Sequence, residues 1–352
     1  MRTPELPDDP AQAAATAPPR GGRPLRATGL GAAVLMLLGV VLLSIAVGAK
    51  SIPLGTVVRG LLTPDGSENA VIVHDYRTTR TLLGLGVGAA LGASGALMQA
   101  LTRNPLADPG LLGIESGASA GVVLAIGLFQ ITSLIGYVWF AFAGAALTAV
   151  VVYVLGTTGR GAATPVRLVL AGTAVNAALI AGISALTFLD DRTFAAMRLW
   201  SVGSLAGRDA DVLTEVTPFL LAGLVIALCL PGALNALALG DAAGAALGAR
   251  VARTRVLGVL AITLLCGAAT AAVGPVGFVG LTVPHIARLV TGPDHRWILP
   301  YSVVLAPVLL LGADVVGRVL VRPDELAVGI VTAFLGAPVI IVLVRRRRVA
   351  AL

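Results

Sequence analysis

Apolar residues along the chain gather into runs of about the length that crosses a membrane as a helix, separated by short polar breaks. The runs cover 30–48, 82–101, 111–129, 133–155, 168–188, 217–230, 256–273, 277–290, 299–321 and 326–344. That pattern predicts an all-α, polytopic membrane protein with about ten transmembrane helices. The first run is too long and too far from the start for the apolar part of a signal peptide, and more spans follow, so it reads as a first span. Residues 1–28 are polar and rich in Pro, Ala and Arg, and read as a disordered cytoplasmic tail ahead of a membrane domain over 29–348. The segment SIPLGTVVRGLL, between the first two runs, reads as an interfacial helix.

The stretch 77–121 organises the rest. Gly84, Gly88, Gly92 and Ala96 recur at four-residue spacing, which strips one helix face of side chains and lets a neighbouring backbone approach. The polar break that follows runs from Arg103 through Asn104, Pro105, Leu106, Ala107, Asp108 and Pro109 to Gly110. Asn104 and Asp108 each precede a proline, which disfavours helix there. A tight polar turn between two apolar helices is a helical hairpin with its tip at a membrane surface. Glu115 and Ser116 lie just inside the second arm.

Composition agrees with the pattern. Of 352 residues, 57% are hydrophobic and 12% charged, where a soluble domain carries about 25% charge. A net charge of +7 raises nucleic acid as a partner, but the arginines cluster at the ends of apolar runs and aromatics are only 4%, so they read as topology signals. Alternation from a cytoplasmic N-terminus puts Arg103, Arg160, Arg167, Arg250, Arg253, Arg255, Arg296 and the Arg345–Arg348 block inside. It puts the acidic segments 65–75, 190–215 and 324–325 outside, with both termini cytoplasmic.

Candidate chemistry is sparse. Cys229 and Cys266 sit in apolar runs and read as small core residues. The three histidines fall on both sides of the membrane, too few and too scattered for a metal site, and no cofactor is expected. The lone lysine, in Gly48-Ala49-Lys50-Ser51, lacks the preceding glycine of a phosphate-binding loop. No acid pair or nucleophilic triad survives the topology, so no enzyme activity is expected of this chain. In the fifth run, Thr173, Asn176 and Ser184 either face a cavity or, for Thr and Ser, bond back to their own helix. Asn176 is the best candidate for a pathway wall, with Thr173 beside it. In 274–296, GPVGFVGLTVPHIARLVTGPDHR, Pro284 bends a helix, and His285 and Arg288 share a face suited to hydrogen bonding at a cytoplasmic helix end.

This segment, with RNPLADPGLLG before it and GADVVGR and TAFLGAP after it, resembles the FecCD family, permease subunits of bacterial ABC importers for iron–siderophores, haem and cobalamin. The similarity runs over roughly 30–345. Two local patterns depart from it: Ala327 replaces the proline of the family's Glu-Leu-Pro, and Thr78-Thr79 replaces Leu-Pro. The resemblance implies a multi-pass protein of the bacterial cytoplasmic membrane. It implies a second permease, as a copy or a paralogue, two ATPase subunits below and an extracytoplasmic substrate-binding protein above. It implies a ferric siderophore as substrate, with cobalamin or haem as the alternative. A reading from another class, an ion-coupled secondary transporter, needs intramembrane carboxylates, and Asp314 is the only acid well inside a predicted span.

The resemblance also implies site residues. It makes 236–255 the segment that couples to the ATPase, with Leu239, Gly240, Leu247 and Gly248 on the family pattern. It makes Arg77 and Arg318 outward-facing arginines that meet acidic residues on the binding protein. The alternatives are headgroup contact, or an internal pair of Arg318 with Asp314 one turn back.

Overall fold

The computed structural model describes residues 22–63, 65–131, 133–158 and 165–345. The predicted tail over 1–21, the 159–164 part of a polar connection with its Arg160, and Arg346–Arg348 lie outside the described residues.

The described chain opens with α1 (Arg23–Ala46) and a short α2 (Leu54–Leu62). A long α3 (Glu68–Thr102) follows, with a wide-turn π segment at Ile72–Arg77. Next come α4 (Ile114–Gly127), α5 (Leu134–Thr157), α6 (Pro165–Leu189) and α7 (Asp191–Trp200). Then α8 (Ala210–Cys229) leads to two short helices, α9 (Pro231–Ala238) and α10 (Asp241–Ala246). The chain continues through α11 (Val251–Val273), α12 (Val279–Thr291), α13 (His295–Leu320) and α14 (Val328–Arg345). The fold is all-α, as the pattern predicts.

Among the described residues, seven helices are long and apolar enough to cross a membrane: α1, α3, α5, α6, α8, α11 and α13. The other three predicted spans correspond to α4 and α14, which are shorter apolar helices, and to the 13-residue α12. Several boundaries move outward from the apolar runs. Helix α1 starts at Arg23, with Pro24 pre-set for a first turn, so the end of the predicted tail is helical. Helices α3 and α8 begin at Glu68 and Ala210, well before 82 and 217. Polar residues continue a helix beyond the hydrocarbon slab, where hydropathy does not reveal it.

Helix α3 is the buried axis, and the glycine face predicted for it is where α13 lies. A Cβ on Gly84 would stand 2.5 Å from Leu311 Cδ2, and one on Gly88 2.6 Å from Pro307 Cα. A Cβ on Gly92 would strike the Ser302 carbonyl, and one on Gly95 the Gly280 carbonyl of α12. Ala96, at the next position, is fully buried. The hairpin turn is built from its own side chains. Arg103 ends α3 in the left-handed region at φ 50°, Asn104 Oδ1 accepts from Leu106 N at 2.9 Å, and Asp108 Oδ1 accepts from Gly110 N at 2.8 Å. These Asx turns stop α3 and launch the short 3-10 turn Pro109–Leu112 that leads into α4. By contrast, α6 and α14 turn large apolar side chains outward, among them Phe188 and Phe334.

Candidate translocation and coupling sites

At the outer end, α1 stops at Ala46 and leaves its last carbonyls without helical partners. Arginines from three other segments take them up. Arg77 Nη1 donates to the carbonyls of Ile45 and Ala46 at 3.0 and 2.8 Å, and Nη2 to Lys50 O at 2.6 Å. Arg318 Nη1 donates to Ser44 O and Val47 O at 2.7 and 3.0 Å, and Arg322 Nη2 to Gly48 O at 3.0 Å. Cations suit this place, because carbonyl dipoles make a helix C-terminus partially negative. Asp314, fully buried, anchors the cluster: Arg318 Nε reaches its Oδ2 at 3.0 Å, and Arg80 forks onto both oxygens. Arg80 also reaches Glu325 Oε2 at 2.6 Å.

This corrects the expectation for two residues. Arg77 and Arg318 are predicted to face outward, yet they are 5% and 1% exposed and their donors are engaged within the chain. Of the readings open from sequence, the internal pair of Arg318 with Asp314 is the one present. The arginines instead build the floor of an outer cleft of about 240 Å³, which Lys50, Tyr76 and Arg208 also line. The altered Glu-Leu-Ala-Val-Gly turn is held without its proline: Leu326 N bonds Gly317 O and Gly329 N bonds Gly203 O, both at 3.1 Å.

At the inner end, the predicted coupling segment 236–255 takes in the last turn of α9, all of α10 and the first turn of α11. Gly240 and Gly248 flank α10 with φ of +105° and +84°, values that favour glycine. Leu239 and Leu247, beside them, are each 66% exposed. Two large apolar side chains are thus presented at the surface. Asp241, at the start of α10, takes Arg103 from the end of α3 on one oxygen and Arg255 of α11 on the other, the latter at 2.7 Å. Asn235 of α9 donates to Asp294 Oδ1 at 2.6 Å and accepts from His295 N at 2.9 Å.

The remaining candidates divide. Asn104 and Pro105 form the hairpin tip. Pro284 is buried inside α12. Arg288 Nη2 donates to Gln99 Oε1 at 3.2 Å, and Gln99 Nε2 donates to Leu281 O at 3.1 Å, which ties α12 to α3. His285 Nδ1 has no hydrogen-bond partner among the described residues. Thr173 bonds back to Leu170 O at 2.9 Å, and half-buried Asn176 accepts through Oδ1 from the hydroxyl of Ser116 of α4. Among the described residues no three His, Cys, Asp or Glu side chains are grouped so that they could hold a metal ion. Sequence reasoning missed Arg80, Gln99 and Asp241. Arg80 lies three residues after Arg77, and Asp241 is the lone acid in 236–255.

A family model described as the FecCD transport family matches residues 35–346. The chain belongs to the FecCD transport family. It is 48% identical over 323 residues to the ferric enterobactin transport system permease protein FepD of Escherichia coli (strain K12), covering 92% of this chain and 96% of that one. It is 37% identical over 327 residues to the hemin transport system permease protein HmuU of Yersinia pestis, covering 91% and 96%. An ABC transporter of the metal-chelate type, solved in an inward-facing conformation, superposes with a TM-score of 0.79 at 28% identity, covering 91% of this chain and 99% of the other. This FecCD chain is a transmembrane permease of the ABC-transporter type.

Proposed function

We propose that this permease moves ferric siderophores across the cytoplasmic membrane, driven by ATP hydrolysed in partner subunits. The observation that carries the reading is the likeness to the ferric enterobactin permease along nearly the whole of both chains. Two copies, or this chain and a paralogue, enclose the path. The outward apolar side chains of α6 and α14 suit such a contact. An extracytoplasmic binding protein delivers substrate at the outer cleft, where Lys50 and Arg208 stand among the lining cations. Arg77 and Arg318 act there by holding the end of α1.

The ATPase is met by α10. Leu239 and Leu247 enter its surface, and Gly240 and Gly248 set the helix angle. Asn104, Pro105, Pro284, His285 and Arg288 belong to the cytoplasmic end that moves with it. Asp314, the carboxylate an ion-coupled transporter needs, is already held by Arg80 and Arg318, which favours the ATP-driven reading.

The test is uptake of labelled ferric siderophores in a deletion strain, with and without the gene restored. Restored uptake of a ferric siderophore is expected. Restored haem or cobalamin uptake instead would move the substrate and keep the mechanism. Uptake that survives inactivation of the ATPase but collapses with the proton gradient would overturn both.

A further inference from the structure

Behind the second end of α10 lies a cavity of about 590 Å³ between α8, α9 and the start of α11. Its wall is apolar where Val225, Cys229 and Leu257 line it, and cationic where Arg250 and Arg253 do. No acidic side chain lines it. Neither arginine has an ion-pair partner among the described residues, and both are exposed.

The position is informative. Helix α8 ends at Cys229 and α11 begins at Val251, so the cavity sits at the cytoplasmic boundary of two spans. The flank beside it is apolar and exposed on both helices, with Leu221 and Leu228 on α8 and Val256 and Leu260 on α11. An apolar slot flanked by exposed apolar side chains of two spans, with two guanidiniums on its wall, matches an amphiphile with an anionic head. A soluble anion has no use for the apolar wall, and a neutral lipid has none for the arginines.

We propose that this cavity binds an anionic phospholipid of the inner leaflet. The headgroup phosphate is held by Arg250 and Arg253, which suits guanidinium recognition of phosphate oxygens. An acyl chain lies along Val225, Cys229 and Leu257. Because Leu247 and Gly248 form another part of the lining, the bound lipid braces α10 from the membrane side. The inference stands whether or not α10 meets an ATPase.

Cys229 supplies the readout. It is exposed and lines the cavity, while the chain's other cysteine, Cys266, is buried. The full chain is placed in nanodiscs of phosphatidylcholine alone or mixed with phosphatidylglycerol, and maleimide labelling of Cys229 is timed. Phosphatidylglycerol is expected to slow labelling, with about fivefold in affinity resting on each arginine. The Arg250→Gln/Arg253→Gln variant is expected to label at one rate in both lipids. Mass spectrometry of lipid retained after extraction is expected to find phosphatidylglycerol enriched on the wild-type chain and not on the variant. Equal labelling of the wild-type chain in both lipids overturns the proposal, as does a lipid effect that the variant keeps. Slowing by inorganic phosphate as strong as that by lipid would make this a simple anion site. Protection that arises only when ATPase subunits are added would assign the cavity to them.

Discussion

Arg80 grips Asp314 side-on: Nε lies 3.0 Å from Oδ2 and Nη2 lies 2.7 Å from Oδ1, bridging α3 and α13 at the outer end of the buried axis. Asp314 is fully buried and pairs with two guanidiniums that would otherwise stand together in a dry place, while Glu325 supplies a second negative charge at Arg80. Removing one partner of a buried pair leaves an uncompensated charge and costs about 3–5 kcal/mol. Asp314→Ala is therefore expected to lower the unfolding temperature in detergent sharply. Glu325→Gln breaks the other bond of Arg80 nearer the solvent, where a pair contributes about 0.2–1 kcal/mol, and should have a small effect. Equal losses from the two substitutions would show that Asp314 is not the anchor.

A second prediction concerns Asp241, which ties α10 both to the end of α3 and to α11. A push on α10 therefore reaches the buried axis through one carboxylate. Asp241→Asn keeps the side chain's shape and removes its charge. Transport is expected to fall about fivefold or more, the scale of a typical coupling energy, while the ATPase still co-purifies and hydrolyses ATP. The charge exchange Asp241→Arg with Arg103→Asp should recover part of the transport. Unchanged uptake per ATP in Asp241→Asn would rule out this carboxylate as the joint.

The third follows from the closest helix crossing. A Cβ on Gly95 would meet the Gly280 carbonyl, which is backbone and cannot swing aside. Gly95→Ala is expected to push α12 away from α3 and cost about 1–3 kcal/mol. Gly39→Ala, with nothing within 4 Å of the added carbon, is the control and should lose nothing. Thermal unfolding of both variants decides it.

These crossings also mark how far the sequence could be read. Repetition carried the strongest signals: the glycines at 84, 88 and 92 announced a close helix contact, and the two X-Pro pairs announced the hairpin. Both are local patterns with one physical meaning. The arginines at 77 and 318 were opaque for the opposite reason. A guanidinium near a helix end serves equally to meet a partner protein or to cap another helix's carbonyls, and only tertiary structure tells which carbonyls are near. Asp241 escaped for the same reason, since its partners at 103 and 255 lie on different helices. The polar turns of α3 and α8 were lost because hydropathy marks where lipid ends, not where a helix does.

A fourth prediction uses pH. Asp190 lies beyond the end of α6, and its Oδ2 accepts from both the backbone N and the hydroxyl of Thr193, at 2.9 and 2.5 Å. These hydrogen bonds hold its carboxyl below the ordinary aspartate value. A lowered folded-state value means the cap is fully present above the unfolded value of about 3.9 and is lost as pH falls through the folded one. The protection of the Thr193 and Phe194 amides, relative to their intrinsic exchange at each pH, should thus be flat from neutral pH to about pH 4 and fall only below it. In Asp190→Ala the protection should already be low at neutral pH. Loss of wild-type protection between neutrality and pH 5 would mean that another group controls the start of α7.

The last prediction separates the two jobs proposed for the segment around α10. Leu239 and Leu247 are large, apolar and exposed, and they flank a helix whose ends are set by glycines. Neither side chain supports the core, so replacing it changes what the surface can meet and not how the chain folds. Leu239→Asp with Leu247→Asp should keep the unfolding temperature within experimental scatter, because surface substitutions away from buried features change stability by about 0.5 kcal/mol or less. The same variant should lose the ATPase on purification, since two carboxylates would enter an apolar groove unpaired. Gly240→Ala asks a different question: its φ of +105° disfavours any side chain, so α10 should tilt while its leucines remain. That variant should retain the ATPase more weakly and transport less for each ATP spent. If the double-aspartate variant binds the ATPase as the wild type does, the partner surface is elsewhere on the cytoplasmic face, and the exposure of the two leucines needs another cause.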